Sequence, residues 1–349
     1  MKYGKFVKNG TEYLVKTPHT PRDWFNFLWN PTYLACVSQN LNGFSLYQSE
    51  KGIVTNLFGK QDQRSAPRNI YLRDKKTKEI WSAAFQPTNI ELDEYKCYHG
   101  LGYSKLISKR NGIRVSLTIF VPRKESAEIW SLEILNESTE KKEISVFTLA
   151  EVMLDGVNMT YGHLSSIDGF CDIPNKRLFY RNRANSVVNE KYRAFSYSDI
   201  KFNKYDISKE LFWGKNKNYL NPESVTKGKL NNSNASAEFM VSAFQYDLVL
   251  KPNENKRINI LLGIVNDENE ADKIIKTFSD SNLIDSELES IKKEYIDRLG
   301  LNKINTPDED FNNLFNIWLK HQLYLMADWA RIYFKGFRDT LQDSAGIVI

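Results

Sequence analysis

Four polar side chains with complementary hydrogen-bonding chemistry crowd together near the end of this sequence. They are Arg338, Asp339, Gln342 and Asp343, within Gly336-Phe337-Arg338-Asp339-Thr340-Leu341-Gln342-Asp343. A sugar presents several hydroxyls, each both donor and acceptor. Carboxylates accept from them, a guanidinium donates through a fixed fork, and an amide does both. The same residues also read as local helix chemistry. Gly336 can end one helix, and Asp339-x-x-Gln342 has the spacing of a capping box at the start of the next. Capping accounts for Asp339 and Gln342. It leaves Arg338 on the wrong side of the helix dipole and Asp343 a turn too late. On residue chemistry alone, both readings stay open.

Other chemistries find less support. His19, His99, His163 and His321 are not spaced with a second His or Cys for a metal, so no metal site or cofactor is expected. His321 reads as a lone core or surface histidine. Gly100-Leu101-Gly102 runs into Tyr103-Ser104-Lys105 rather than into a helix with a third glycine, which argues against a dinucleotide loop. Neither a GxSxG elbow nor a P-loop occurs, and acids are too many for counting to select a hydrolytic pair. Trp24, Trp29, Trp81, Trp130 and Trp213 could stack on sugar faces. Trp130 alternates with polar neighbours and reads as core, whereas Trp24 and Trp29 lie in a Pro-flanked stretch that reads as rim or interface.

Composition narrows the partners. The net charge is +5 over 349 residues, but Lys and Arg are interleaved with Asp and Glu. Without a basic stripe, no nucleic-acid partner is expected. Cys36, Cys97 and Cys171 lack CxxC spacing and read as free thiols. The opening residues lack an apolar h-region, and the run from Ile258 to Val265 is too short to span a bilayer. The expectation is a soluble cytoplasmic protein with no membrane partner.

The elements that would carry the polar cluster divide by period. Up to about residue 265 apolar residues alternate: Val115, Leu117 and Ile119; Trp130, Leu132 and Ile134; Phe239, Val241 and Ala243. Ile144–Leu154 and Ile258–Val265 are more continuously apolar, as central strands would be. Asn111-Gly112 predicts a two-residue hairpin, and many strands with short connections predict a large antiparallel sandwich. Residues 155–235 read as long loops with short strands. After 266 the period turns helical, with Ala271, Ile274, Ile275 and Phe278 on one face. Capping boxes predict further helices from Ser286-x-x-Glu289 and from Thr306-Pro307-Asp308-Glu309. The last helix carries a wide stripe of Phe311, Leu314, Phe315, Trp318, Gln322, Leu325, Met326 and Trp329.

In order along the chain, these motifs resemble the cellobiose and chitobiose phosphorylases of glycoside hydrolase family 94. The resemblance runs through Pro21-x-x-Trp24, Asn42-Gly43-Phe44-Ser45-Leu46-Tyr47, Tyr71-Leu72-Arg73-Asp74 and His99-Gly100-Leu101-Gly102-Tyr103-Ser104-Lys105. It continues in Asn111-Gly112-Ile113 and Phe120-Val121-Pro122, and ends at Gly336-Phe337-Arg338-Asp339-x-x-Gln342-Asp343. It implies a mainly β chain: a supersandwich like that of galactose mutarotases over 1–266, a helical linker over 267–305, and the entry to an (α/α)6 barrel over 306–349. It further implies inverting phosphorolysis of β-linked di- or oligosaccharides, inorganic phosphate as co-substrate, and a homodimer. Arg338 and Asp343, with Asp339 and Gln342, would hold the donor sugar. The family's general acid follows in a Trp-Asn-Asp context that this chain lacks, so a fragment inactive by itself is expected, with no catalytic residue of its own. The stretch between Trp329 and Gly336 is shorter than in the cellobiose and chitobiose enzymes, which leaves sugar and linkage open. The alternative is a stand-alone carbohydrate-binding or dimerisation module.

Overall fold

Period-two alternation becomes two antiparallel sheets packed face to face. The computed structural model describes residues 2–50, 54–59, 67–156, 167–183, 192–215, 217–300 and 302–329, with Arg338, Leu341 and Ala345 as helical positions. Among these residues one sheet has eleven strands and the other nine. The eleven-stranded sheet centres on Ile113–Phe120, Ala127–Asn136 and Asn255–Val265. The nine-stranded sheet centres on Lys142–Gly156, flanked by Met240–Leu250 on one edge and by Val54–Phe58 and Arg68–Asp74 on the other.

The alternation decides which residues meet. Ile258, Ile260, Leu262 and Ile264 point into the space between the sheets, with Val115, Leu117, Trp130 and Leu132. Leu261 and Val265 point the other way, onto an outer helical layer that contributes Ala271, Ile274, Ile284 and Ile291. The nine-stranded sheet repeats this: Val146 and Ala150 face inward, while Phe147 and Leu149 pack outward against Phe212 and Val225. Strands covered on both sides explain the continuous apolar runs.

One charged pair crosses the main core. Arg68, from the nine-stranded sheet, donates Nε and Nη2 to the two carboxylate oxygens of Glu128 on the other sheet, each at 3.0 Å. Both side chains are fully buried. Trp130 Nε1 and Ser45 Oγ donate to the same carboxylate at 2.9 and 2.6 Å, and Arg68 Nη1 reaches the Cys36 carbonyl at 3.1 Å. The charges survive burial because this fork-to-fork geometry and the added donors satisfy the carboxylate.

Local signals account for the turns. Asn111 and Gly112 have φ of 51° and 75°, and Arg110 pairs with Ile113 across them. That is the two-residue turn the sequence predicts. Residues 155–235 are more regular than expected. They contain strands Ile167–Asp172, Arg177–Asn182, Arg193–Ser198 and Lys204–Ser208, and the short helices α1 (Lys209–Trp213) and α2 (Glu223–Lys227). Hydrophobic alternation there is interrupted by charged residues that pair locally, such as Arg177 with Asp172 at 2.9 Å. Phe239 does not share a face with Val241 and Ala243: it is exposed and precedes the strand, which begins at Met240.

Helices follow where the period changed, with shifted starts. α3 (Glu268–Thr277) buries Ala271 and Ile274 as expected. α4 (Ser281–Arg298) begins before Ser286, because Asp280 caps it by accepting from Asn282 N. Ser286 Oγ instead bonds the Asn282 carbonyl inside the helix. α5 (Glu309–Asn313) is capped by Asp308, while Thr306 Oγ1 donates to Asn312 Oδ1 at 2.8 Å. A π-helical turn, Leu314–Leu319, joins it to α6 (Lys320–Trp329). The expected stripe is consequently split. Phe311, Leu314 and Gln322 are exposed, and the buried residues of α6 are His321, Leu325 and Trp329.

Removing one partner of the inter-sheet pair strands the other in the core. Arg68→Met is expected to lower unfolding free energy by about 3–5 kcal/mol, with the double variant Arg68→Met/Glu128→Leu recovering much of the loss. Urea unfolding monitored by tryptophan fluorescence checks both.

Candidate functional site

The sequence places the candidate sugar residues at the end of the chain. Arg338 is a helical, exposed position. Asp339, Gln342 and Asp343 lie outside the described residues, so no pair of the four is brought together among the described positions.

The described residues do show how the helix that precedes this cluster is held. Three indole N–H groups stitch the final helices to the sandwich. Trp329 Nε1 donates to the Asn30 carbonyl at 2.8 Å, and Trp318 Nε1 to the Gly10 carbonyl at 2.8 Å. Trp29 Nε1 donates in the other direction, to Asp328 Oδ2 at 2.9 Å. Asn30 is itself fixed. Its amide donates to the Pro122 and Glu125 carbonyls, and its Oδ1 accepts from Thr32 N and Tyr33 N. A buried indole needs such a partner, and these bonds orient the helix as well as hold it.

His321 sits inside this junction, 1% exposed, with ring centroids of Trp29, Tyr295 and Trp318 at 4.7, 5.2 and 5.7 Å. Neither ring nitrogen has a hydrogen-bond partner. Burial, helped by the nearby Arg298 charge, pushes its pKa down to about 3. It is a neutral packing group, which fits the expectation of a lone core histidine except for its unmet nitrogens.

Beside the junction opens a cavity of about 170 Å³, lined by Trp29, Asn30, Gly102, Arg123, Glu294, Tyr295, Arg298 and Asp328 among others. Gly102 has φ of 78°, and a side chain there would strike Ile291 and Tyr295, so the missing Cβ lets α4 approach. Arg123 is held by Glu287 at 3.0 Å. Burial alone would raise Glu287, but the hydrogen bonds from Arg123 outweigh it and hold the carboxyl below its usual range. The Arg298 guanidinium lies 4.1 Å from the Tyr324 ring centroid. Sequence reasoning found Trp29 but missed Glu294, Tyr295, Arg298 and Asp328. The i, i+1, i+4 spacing of Glu294, Tyr295 and Arg298 on one helix edge is the signal that could have found three of them.

Other candidates turn out to be structural. His99 is buried, with Nδ1 at 3.0 Å from Ser104 Oγ and Nε2 at 3.0 Å from the Trp24 carbonyl. Burial, partly opposed by that carbonyl, lowers its pKa to about 4. Trp81 and Trp130 are core. Cys36 and Cys97 are buried and Cys171 half-buried, all free thiols. Among the described residues no group of three or more His, Cys, Asp or Glu could hold a metal ion, and no helix is long and apolar enough to cross a membrane.

Comparison with known proteins gives this geometry a context. The family model described as the Glycosyl hydrolase 94 supersandwich domain matches residues 11–281. Solabiose phosphorylase of Paenibacillus borealis is 29% identical over 98% of this chain and 45% of its own length. N,N'-diacetylchitobiose phosphorylase of Vibrio furnissii is 29% identical over 99% of this chain and 45% of its own. The chain thus spans less than half the length of these relatives. A bacterial glucoamylase solved with acarbose shares the fold with a TM-score of 0.53 and 11% identity, over 91% of this chain and 44% of that one.

Two outcomes follow from the junction. Filling the His321 site with Phe removes two unmet polar atoms and is expected to stabilise by about 1–3 kcal/mol. Because His321 is depressed below its unfolded value of 6.5, its burial weakens folding as pH falls from about 6.5 towards 3, by up to ~1.4 kcal/mol per unit. His321→Phe should therefore flatten the pH dependence of urea unfolding in that window. Trp329→Ala should leave the sandwich folded but expose the stretch after residue 302 to limited proteolysis, read by mass spectrometry of the fragments.

Proposed function

This chain belongs to glycoside hydrolase family 94 through its supersandwich domain, and we propose that it is the sandwich and helical-linker part of an inverting glycoside phosphorylase acting on β-linked di- or oligosaccharides. The observation that carries the reading is the near-complete alignment of the chain, 98–99%, with proteins named as disaccharide phosphorylases. Residues 306–349 are the entry to the helical catalytic barrel. Arg338 and Asp343, with Asp339 and Gln342, hold the donor sugar there: carboxylates accept from its hydroxyls, and the guanidinium donates to it and balances phosphate charge.

The reaction is phosphorolysis. An acid protonates the glycosidic oxygen, and inorganic phosphate attacks the anomeric carbon from the opposite face, giving a sugar 1-phosphate of inverted configuration. An inverting hydrolase needs a second carboxylate to activate water. A phosphorylase does better without one, since a carboxylate would repel the anionic nucleophile. In this reading the acid is supplied by the barrel, and the sandwich and linker supply no catalytic group. The contribution of its own described residues is positional: Trp29, Asn30, Asp328 and Trp329 fix the direction in which the last helix leaves the sandwich. The sandwich also serves as a homodimer surface. Three free thiols favour a reducing compartment, the cytoplasm.

Assayed with sugar 1-phosphate and acceptor sugars, the chain alone should release no phosphate, and turnover by it would overturn the assignment of the acid to the barrel. In a polypeptide joining this chain to its barrel, Arg338→Ala and Asp343→Ala should each lower kcat/KM by on the order of 100-fold, the scale of losing a charged hydrogen bond in the transition state. Unchanged kinetics would remove both residues from the sugar site.

A further inference from the structure

The chain contains three Asn-Gly pairs: Asn9-Gly10, Asn42-Gly43 and Asn111-Gly112. Such a pair is open to one spontaneous reaction, attack of the glycine main-chain nitrogen on the asparagine side-chain carbonyl carbon, because no Cβ crowds the approach. The fold treats the three amides differently. Asn42 Nδ2 donates to the Asp23 carboxylate and to Gln86 Oε1, the latter at 2.8 Å. Asn111 Nδ2 donates to Glu79 Oε2, and its main-chain nitrogen donates to Asp93 Oδ2 at 3.1 Å. Those bonds must break before either side chain can swing onto the following nitrogen. Asn9 is exposed, and its amide makes no hydrogen bond to a described residue, so its rotation costs none.

This pair also lies where the sandwich meets the last helices. It forms the turn between strands Gly4–Val7 and Glu12–Val15, the first of which is an edge of the eleven-stranded sheet. Lys8, Asn9 and Gly10 have φ of 48°, 54° and 81°, a left-handed run that only glycine adopts freely. Gly10 is buried. Its carbonyl accepts the Trp318 indole at 2.8 Å, and a Cβ there would lie 2.3 Å from Asn313 Oδ1. Its N–H makes one turn bond, to the Val7 carbonyl at 3.1 Å. The turn is therefore clamped at Gly10 and open to solvent at Asn9.

We propose that Asn9-Gly10 is a site of spontaneous deamidation, and that isoaspartyl formation there loosens the last helices from the sandwich. The Gly10 nitrogen gives its proton to solvent and bonds to Asn9 Cγ. The Cγ–Nδ2 bond breaks, and ammonia leaves with a proton from water. Water then opens the five-membered imide at either carbonyl, and no electrons are transferred. Opening at Cγ leaves an ordinary aspartyl residue. Opening at the main-chain carbonyl leaves the chain running through Cβ and Cγ, one atom longer. Gly10 has no room for that extra atom, because Asn313 lies against its Cα and the Trp318 bond fixes its carbonyl. This reading uses only residues of this chain and stands whether or not the chain is joined to a barrel.

The test ages the full 349-residue chain in mildly alkaline buffer, folded and in parallel unfolded in urea, which gives each pair its unprotected rate. Peptide mapping by mass spectrometry follows amide-to-acid conversion, and isoaspartyl methyltransferase labelling marks the lengthened product. In the folded chain Asn9 should convert within tenfold of its unfolded rate, while Asn42 and Asn111 are slowed by more than that. The isoaspartyl form at position 9 should be cut faster by protease after residue 302 than the fresh chain. Asn9→Asp adds the charge without lengthening the chain and should be cut no faster than the fresh chain. Asn9→Gln, which closes the imide ring poorly, should stay intact and docked on ageing. Asn9 protected by folding as strongly as Asn42 and Asn111 would overturn the proposal. So would an isoaspartyl form cut no faster than the fresh chain, or an Asn9→Asp variant cut as fast as the isoaspartyl form.

Discussion

Everything in this fold depends on the two sheets keeping one relative setting, and the Arg68–Glu128 pair is where that setting is specified. Apolar side chains between sheets tolerate sliding, because dispersion has little direction. A bidentate guanidinium–carboxylate contact does not. It fixes one point of the nine-stranded sheet against the eleven-stranded one, to which Asn26 on the Gly100 carbonyl and Tyr246 on Ser198 add others, and the Trp130 indole and Ser45 hydroxyl penalise any alternative rotamer. The pair adds little net stability over a well-packed apolar replacement, and its value lies in uniqueness. The outer helices inherit it, since α3 and α4 rest on one sheet while Trp29, which binds α6, comes from the other.

A second layer of specification lies at the junction. Hydrogen bonds from three indoles, rather than apolar area alone, set the exit direction of the final helix. Such bonds are angular, so the orientation of α6 up to Trp329 is tied to strand Phe25–Trp29 and to the loop behind it. The neutral, unmet His321 weakens this junction as much as it fills it.

How much of this was legible follows from range. Local signals read correctly: Asn111-Gly112 dictated its own turn, and the buried runs around 144–154 and 258–265 declared central strands. Signals with local competitors misled. Ser286 has a good capping spacing, but Asp280 caps six residues earlier, because α3 has ended at Thr277 and the chain restarts there. Long-range chemistry was not legible at all. Arg68 and Glu128 are separated by 60 residues, and Trp29 and Asp328 by 299, with nothing in either neighbourhood to mark the partner. The same holds for the junction cavity, whose walls come from five separate segments. The sugar-site residues Arg338, Asp339, Gln342 and Asp343 were legible only through resemblance, since half of that cluster also makes sense as a cap.

The π-helical turn Leu314–Leu319 has a consequence of its own. A wider turn accommodates one residue more than an α-helix would, and so rotates everything after it by about 100° relative to everything before. The last helix therefore has two addresses. Beyond the turn, Leu325 and Trp329 answer to the sandwich, while Phe311 before it and Leu314 at its first residue are exposed. A single uninterrupted amphipathic helix could serve only one neighbour along its length. By storing a phase change in one turn, this chain lets a single rod be fastened at one end and remain available at the other, without a loop whose flexibility would blur the alignment.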